Sequence, residues 1–313
     1  MASIASTSPF PTYLVSPSAL SQALQSTTST SAPRLIPLCG TWYLPNDPQK
    51  RTGRAEYQNI RISSARFFDL DAISDTSSPY PHMLPSSSYF ASKMGELGLK
   101  NDDTLVVYDS KDAGIFSAPR VAWTLKVLGH QGHVHILDNF KVWVEQGLPV
   151  EEGEAKEDWE TISYEAAQEH KDKVVDFDEM RAKAKEGEVG TSVQVLDARS
   201  EGRWKGTEPE PRPGLSSGHI PGSVSVPVPE LLDPKTKQFL PQEKLKELFE
   251  KKGVDMEEPV ISSCGTGVTA TIIDTALQQA GYSGPARRVY DGSWTEWAQR
   301  VKPEENLIQK INA

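Results

Sequence analysis

The chain has 313 residues, 37% hydrophobic and 24% charged, with 33 Lys and Arg against 43 Asp and Glu for a formal net charge of −10. That size admits two domains with separate cores, and the acidic balance argues against nucleic-acid binding as the main task, because phosphate neutralisation needs clustered Lys and Arg. No apolar run approaches the roughly 18 residues of a membrane helix, and two cysteines, Cys39 and Cys264, make no disulfide framework, so a reducing compartment is expected.

The first residues, MASIASTSPFPTYLVSP, are rich in Ser and Thr and carry no acid before Asp47. The first arginine is Arg34, and no apolar core for a secretory signal is present. We expect a short flexible start over 1–9 and a cytoplasmic protein, with mitochondrial import as the alternative.

From residue 10 the chain reads as one unit written twice. In the first half RLIPLCGTWYL (34–44) leads to TLVVYDS (104–110), then AGIFSAPRVAWTLKVLGH, then HVHILDNFKVW (133–143). In the second half VQVLDARSEGRW (193–204) leads to PVISSCG (259–265), then TGVTATIIDTALQQAGY, then ARRVYDGSWTEW (286–297). Each is a short β-branched run, a segment of helical period ending near Gly, and a second short run closing on Asp and Trp. Asp109 falls opposite Cys264, Gly129 opposite Gly281 and Asp138 opposite Asp291, at nearly constant offset. Strand–helix–strand units of this kind predict α/β domains with mainly parallel sheets flanked by helices. We expect domains at 10–148 and 174–302, a charged linker at 149–173 without apolar periodicity, and a tail at 303–313.

The halves differ where chemistry would occur. Ligands of open parallel sheets sit beyond the carboxyl ends of the strands, and Cys264 stands at such an end, in CGTGVTA (264–270). Gly265 and Gly267 let the backbone curl into an anion-holding nest, and the following helix would turn its N-terminus toward the sulfur. Both effects favour a thiolate. Taken alone, the same residues also describe a buried cysteine in a tight turn. Around it lie DARSEGRWKGTEPEPRPG (197–214), with Arg199, Arg203 and Arg212, and SGHIPGSVSVP (217–227), a turn entering a strand. YDGSWTEW (290–297) is a further strand-end turn, whose Asp291 and tryptophans are expected to brace the fold. Two arginines on one loop can grip a carboxylate by paired hydrogen bonds, whereas any single one reads equally as solvated surface charge.

With these residues in place, the sequence resembles the two-domain sulfurtransferases of the rhodanese superfamily, from LVSPSAL (14–20) to about Pro303. YDGSWTEW, GHIPGS, HMLP (82–85) and SAPR (117–120) carry the resemblance. The small neutral residues after the cysteine are similar to the 3-mercaptopyruvate branch rather than to thiosulfate rhodaneses, which have basic residues there. The resemblance implies two tandem rhodanese-like domains with the second catalytic. It implies a Cys264 persulfide, a clamp of Arg203 and Arg212 on a small anionic sulfur donor, and a loop of Gly265, Gly267, Val268 and Thr269 around it. It also implies a proton relay through Thr266, His82 and Asp71, with His82 coming from the opposite domain. The sulfur would pass to a thiol, to cyanide, or to a protein such as thioredoxin or a tRNA-thiolation protein. No metal or organic cofactor, no direct nucleic-acid or membrane contact, and a monomer are expected. RISSARFFDLD (61–71) and DNFKVW (138–143) depart from the family's first-domain patterns. Cys39, on the first long strand, is expected to be a buried structural thiol.

Three other readings compete. A cysteine phosphatase would need an arginine six residues after the nucleophile, where this chain has Ala270. A thiosulfate sulfurtransferase is closer, as main or side activity. A binding module without catalysis is opposed by the intact cysteine, glycines and arginines, although a sulfur-relay partner in tRNA thiolation combines both roles.

Overall fold

A computed structural model describes residues 8–26, 33–165 and 168–311. Residues 1–7 of the expected flexible start and 312–313 of the tail lie outside the described residues. In chain order, the first half forms β1 (Leu14–Val15), α1 (Pro17–Ser26), β2 (Leu35–Cys39), α2 (Gly53–Asn59), β3 (Ile60–Ile62), β4 (Arg66–Phe67), α3 (Ser87–Glu96), β5 (Thr104–Tyr108), α4 (Ala118–Val127), β6 (Val134–Leu137), α5 (Phe140–Glu145) and β7 (Val150–Glu152). The second half forms β8 (Val174–Val175), α6 (Phe177–Lys185), β9 (Gln194–Asp197), α7 (Glu201–Lys205), β10 (Val224–Ser225), α8 (Val228–Leu231), α9 (Gln242–Lys251), β11 (Val260–Ser263), α10 (Ala270–Ala280), β12 (Arg287–Tyr290) and α11 (Ser293–Arg300).

The elements assemble into two α/β units. The first has a five-stranded sheet in the order β1-β6-β5-β2-β4, and the second a five-stranded sheet in the order β10-β9-β11-β12-β8. Every neighbouring pair in both sheets is parallel. Reversed, the second order matches the first strand for strand, with β5 and β11 both central. The repeat in the sequence is thus a repeat of topology. A smaller antiparallel pair, β3 with β7, is added to the first unit.

The central strands read as apolar runs because helices cover both faces of a parallel sheet: all five residues of TLVVY in β5 are buried. The first core gathers Val106, Tyr108, Leu137, Phe140 and Trp143; the second gathers Val195, Ile261, Tyr290, Trp294 and Trp297. Local signals fix the helix ends. Asp176 accepts the Glu179 N–H at 2.8 Å and starts α6. Gly281, at φ +84°, closes α10 in the left-handed conformation that suits glycine.

Unit membership does not follow the chain simply. The first unit takes the chain to Ile73, then Pro85–His170 and Thr236–Gln238; the second takes Ser74–Leu84, Lys171–Lys235 and Phe239 onward. Residues 74–84, which carry His82, therefore pack with the second unit although they lie within the first half of the sequence. The segment expected as a linker is anchored on the first unit. Its start forms β7, the Trp159 indole N–H donates to Glu96 O at 3.0 Å, and buried Tyr164 shares a 2.8 Å hydrogen bond with His130. Two aromatic anchors and an added strand hold a segment that has no apolar period. No helix among the described residues is long and apolar enough to cross a membrane.

Candidate active site

The site is built on the turn from β11 to α10 in the second unit. Cys264 follows Ser263 at the carboxyl end of the central strand and is buried. Its backbone is fixed from α11: the Ser293 hydroxyl accepts the Cys264 N–H at 3.1 Å and donates to Tyr290 O at 2.8 Å. The amides of Trp294 and Thr295 donate to Cys264 O and Gly265 O, both at 2.9 Å. Ser293 holds this position at φ +49°, a left-handed conformation for a non-glycine residue. YDGSWTEW therefore braces the fold as expected, and what it braces is the cysteine turn.

Gly267, at φ +74°, reverses the chain inside residues 264–269. The amides of Gly265, Thr266, Val268 and Thr269 find no acceptor among the described residues. Val268 is buried, and its carbonyl accepts the Thr271 hydroxyl at 2.7 Å. Thr269 precedes α10 without a side-chain cap. Thr266 Oγ1 shares a 3.0 Å hydrogen bond with His82 Nδ1, and both residues are buried. His82 sits at φ +64°; the next turn is held where the Leu84 N–H donates to Asp291 Oδ2 at 2.9 Å and the Asp75 N–H to Met83 O at 2.8 Å. A buried histidine kept in a sparsely populated backbone region marks an over-determined site. The expected third member of the relay, Asp71, belongs to the first unit, where both its oxygens accept the Trp42 indole N–H at 3.0 Å.

The arginines of the 197–214 segment have separate jobs. Arg199 is buried and held by Asp197 Oδ1 and Oδ2, by Glu210 Oε1 at 2.7 Å and by Gly218 O at 2.7 Å, with its guanidinium 4.0 Å from the Trp294 ring centre. It is structural. Arg203, on α7, keeps 23% of its side chain exposed and pairs with Glu210 Oε2 through Nη2 at 2.6 Å and Nε at 3.2 Å. Its Nη2 lies 3.4 Å from where a Cβ on Gly265 would stand, which puts the guanidinium against the cysteine loop. GHIPGS holds α7 in place: the Gly218 N–H donates to Arg203 O at 3.0 Å, His219 stacks on Trp204 at 4.0 Å, and His219 Nδ1 donates to Trp204 O at 2.8 Å. Burial pulls the His219 pKa below its ordinary value, which suits a neutral ring in that role. Arg212 is half-buried on the loop after α7. Sequence reasoning passed over Glu210 and Ser293; only the acid two places before Arg212 was a visible signal.

Cys39 is buried in the first unit, 3.2 Å from Thr41 Oγ1, and burial pushes its pKa up to about 12. Both cysteines are free.

Comparison with known proteins decides the family. Thiosulfate sulfurtransferase TUM1 of Saccharomyces cerevisiae is 43% identical over 303 residues, covering 93% of this chain and 96% of its own. The chain belongs to the rhodanese family of sulfurtransferases. Within this rhodanese, the family model described as a Rhodanese-like domain matches residues 176–300, the part that holds Cys264. A second relative, the probable 3-mercaptopyruvate sulfurtransferase of Schizosaccharomyces pombe, is 39% identical over 280 residues, covering 89% of this chain and 91% of its own. Among solved structures, the sulfur transferase subunit of yeast mitochondrial complex I, described there as sub-stoichiometric, superposes with a TM-score of 0.83 at 36% identity. That match covers 96% of this rhodanese and 100% of that chain. The protein is a sulfurtransferase with two tandem rhodanese-like domains.

Proposed function

We propose that this rhodanese takes sulfur from 3-mercaptopyruvate through a Cys264 persulfide. The observation that carries the reading is the Arg203 guanidinium lying against Gly265 of a loop that is otherwise uncharged from Gly265 to Thr269. One guanidinium, with Arg212 on the same segment, suits a monoanionic carboxylate with a ketone beside it; a dianion would call for further cations at the loop. The Cys264 thiolate attacks the donor sulfur, and the donor's C–S bond breaks with its electron pair left on carbon as the pyruvate enolate. The proton released from the donor thiol balances the proton the enolate takes up, so the products are pyruvate and the Cys264 persulfide. Arg203 and Arg212 orient the donor and stabilise the developing enolate. Gly265, Gly267, Val268 and Thr269 shape the nest that holds the anionic sulfur. Thr266 and His82, joined by their hydrogen bond, form the relay that returns the proton, with Asp71 as its expected third member.

The persulfide sulfur then passes to a thiol, to cyanide, or to a protein acceptor such as thioredoxin or a tRNA-thiolation protein. A relative that is a subunit of mitochondrial complex I supports a protein acceptor, and with it a mitochondrial location. Thiosulfate is the second reading, favoured by the name of the budding-yeast relative. Steady-state kinetics with cyanide as acceptor separate the two: kcat/KM is expected to be clearly higher for 3-mercaptopyruvate than for thiosulfate. A preference for thiosulfate would overturn the donor assignment and leave the family intact.

A further inference from the structure

We propose that Glu210 is a positioning residue that sets the net charge presented to the donor, and thereby the choice between monoanionic and dianionic sulfur donors. The inference rests on the donor chemistry above and goes one step beyond it.

The Glu210 side chain is only 2% exposed, and its two oxygens are divided. Oε1 receives Arg199 Nη1 at 2.7 Å, while Oε2 receives Arg203 Nη2 at 2.6 Å and Nε at 3.2 Å. Arg199 is already held by both oxygens of Asp197, so it does not require Glu210 for neutrality. The four charges Asp197, Arg199, Glu210 and Arg203 sum to zero. Arg203 is thus oriented toward Gly265 by a carboxylate that also cancels its long-range field. What Arg203 keeps is directional: Nη1 and the second Nη2 proton can still bind a carboxylate edge at short range.

A carboxylate is served by such short-range hydrogen bonds. A dianion such as thiosulfate gains from net positive charge, and here Glu210 removes one unit of it where the loop from Gly265 to Thr269 supplies no Lys or Arg. Glu210→Gln preserves side-chain shape, lets the amide oxygen accept from one arginine, and raises the local charge by one unit. Thiosulfate carries one more negative charge than mercaptopyruvate, so the ratio of their kcat/KM values responds to that single extra interaction. Across a partly hydrated site it amounts to about fivefold.

The test measures kcat and KM for both donors with the unaltered enzyme, E210Q and E210D, with circular dichroism to check folding. E210Q is expected to shift the thiosulfate-to-mercaptopyruvate ratio about fivefold toward thiosulfate, through KM, while E210D, which keeps the charge, holds the ratio of the unaltered enzyme. A ratio unmoved in E210Q, or moved equally in both variants, would show that Glu210 acts only through packing and overturn the proposal. The shift is read relative to the unaltered enzyme, so it is independent of which donor that enzyme prefers. Should E210Q not fold, inhibition of the unaltered enzyme decides. Pyruvate binding more tightly than sulfate supports the compensated site, and sulfate binding more tightly overturns it.

Discussion

At the carboxyl end of β5 the chain places Asp109; at the equivalent end of β11 it places Cys264. The two turns lead into the central helices of the same topology, yet they resolve their backbone polarity in opposite ways. In the first unit the Asp109 carboxylate is buried and accepts the amides of Phe116 at 2.8 Å, Ser117 at 3.2 Å and Ala118 at 2.9 Å, together with the Ser117 hydroxyl at 2.6 Å. The chain supplies its own anion at the start of α4. In the second unit the amides of Gly265, Thr266, Val268 and Thr269 have no acceptor among the described residues, and the Cys264 thiol, the proposed nucleophile, stands at the equivalent strand end. A duplicated turn becomes a structural cap when it carries an internal anion and a reactive site when it must take one from outside.

The largest expected effect breaks the second turn. Cys264→Ser should reduce sulfur transfer from either donor by about 10³-fold or more and abolish the cyanide-labile sulfur retained after mixing with mercaptopyruvate. Cys39→Ala should retain one such sulfur per chain, because burial pushes the Cys39 pKa up to about 12 and disfavours the thiolate that sulfur transfer needs. Next, Arg203→Ala and Arg212→Ala should each lower kcat/KM for mercaptopyruvate by roughly 1.5–3 kcal/mol; unchanged KM and kcat in both would remove the clamp. Breaking the first turn should have the opposite signature. Asp109→Ala strands three amides at the start of α4 and should cost about 2–3 kcal/mol of stability by urea unfolding, with kcat/KM of the folded fraction unchanged. The smallest effect concerns Thr266. Thr266→Val preserves shape but loses the hydrogen bond to His82, and should lower kcat about three- to tenfold; a wild-type rate would make Thr266 a space-filling residue.

Much of this comparison was legible in the sequence because it is local. The β-branched runs, the glycines of the Cys264 turn and the Asp109–Cys264 correspondence sit at fixed spacing, and strand-end turns follow from them. Arg203 could be placed on the segment after β9, yet neither its helix nor its pairing could be read. Glu210 meets Arg203 and Arg199 only when the loop after α7 closes on itself, and side-chain direction around such a loop is set by tertiary contacts. The same holds for Ser293, whose left-handed backbone no residue type announces, since glycine, not serine, is the usual occupant. The allegiance of residues 74–84 was hidden for a related reason. PYPHMLP has no period of its own, and its partners, Thr266 and Asp291, lie far along the chain.

That allegiance makes the duplication inseparable. A gene fragment beginning at Lys171 would encode every strand of the second sheet and the proposed nucleophile, but would lack the imidazole on Thr266 and the amide on Asp291. The second unit is discontinuous in the gene. A minimal sulfurtransferase carved from this chain would have to carry residues 74–84 as a graft or receive them as a separate peptide, so the ancestral half can no longer be recovered by a single cut.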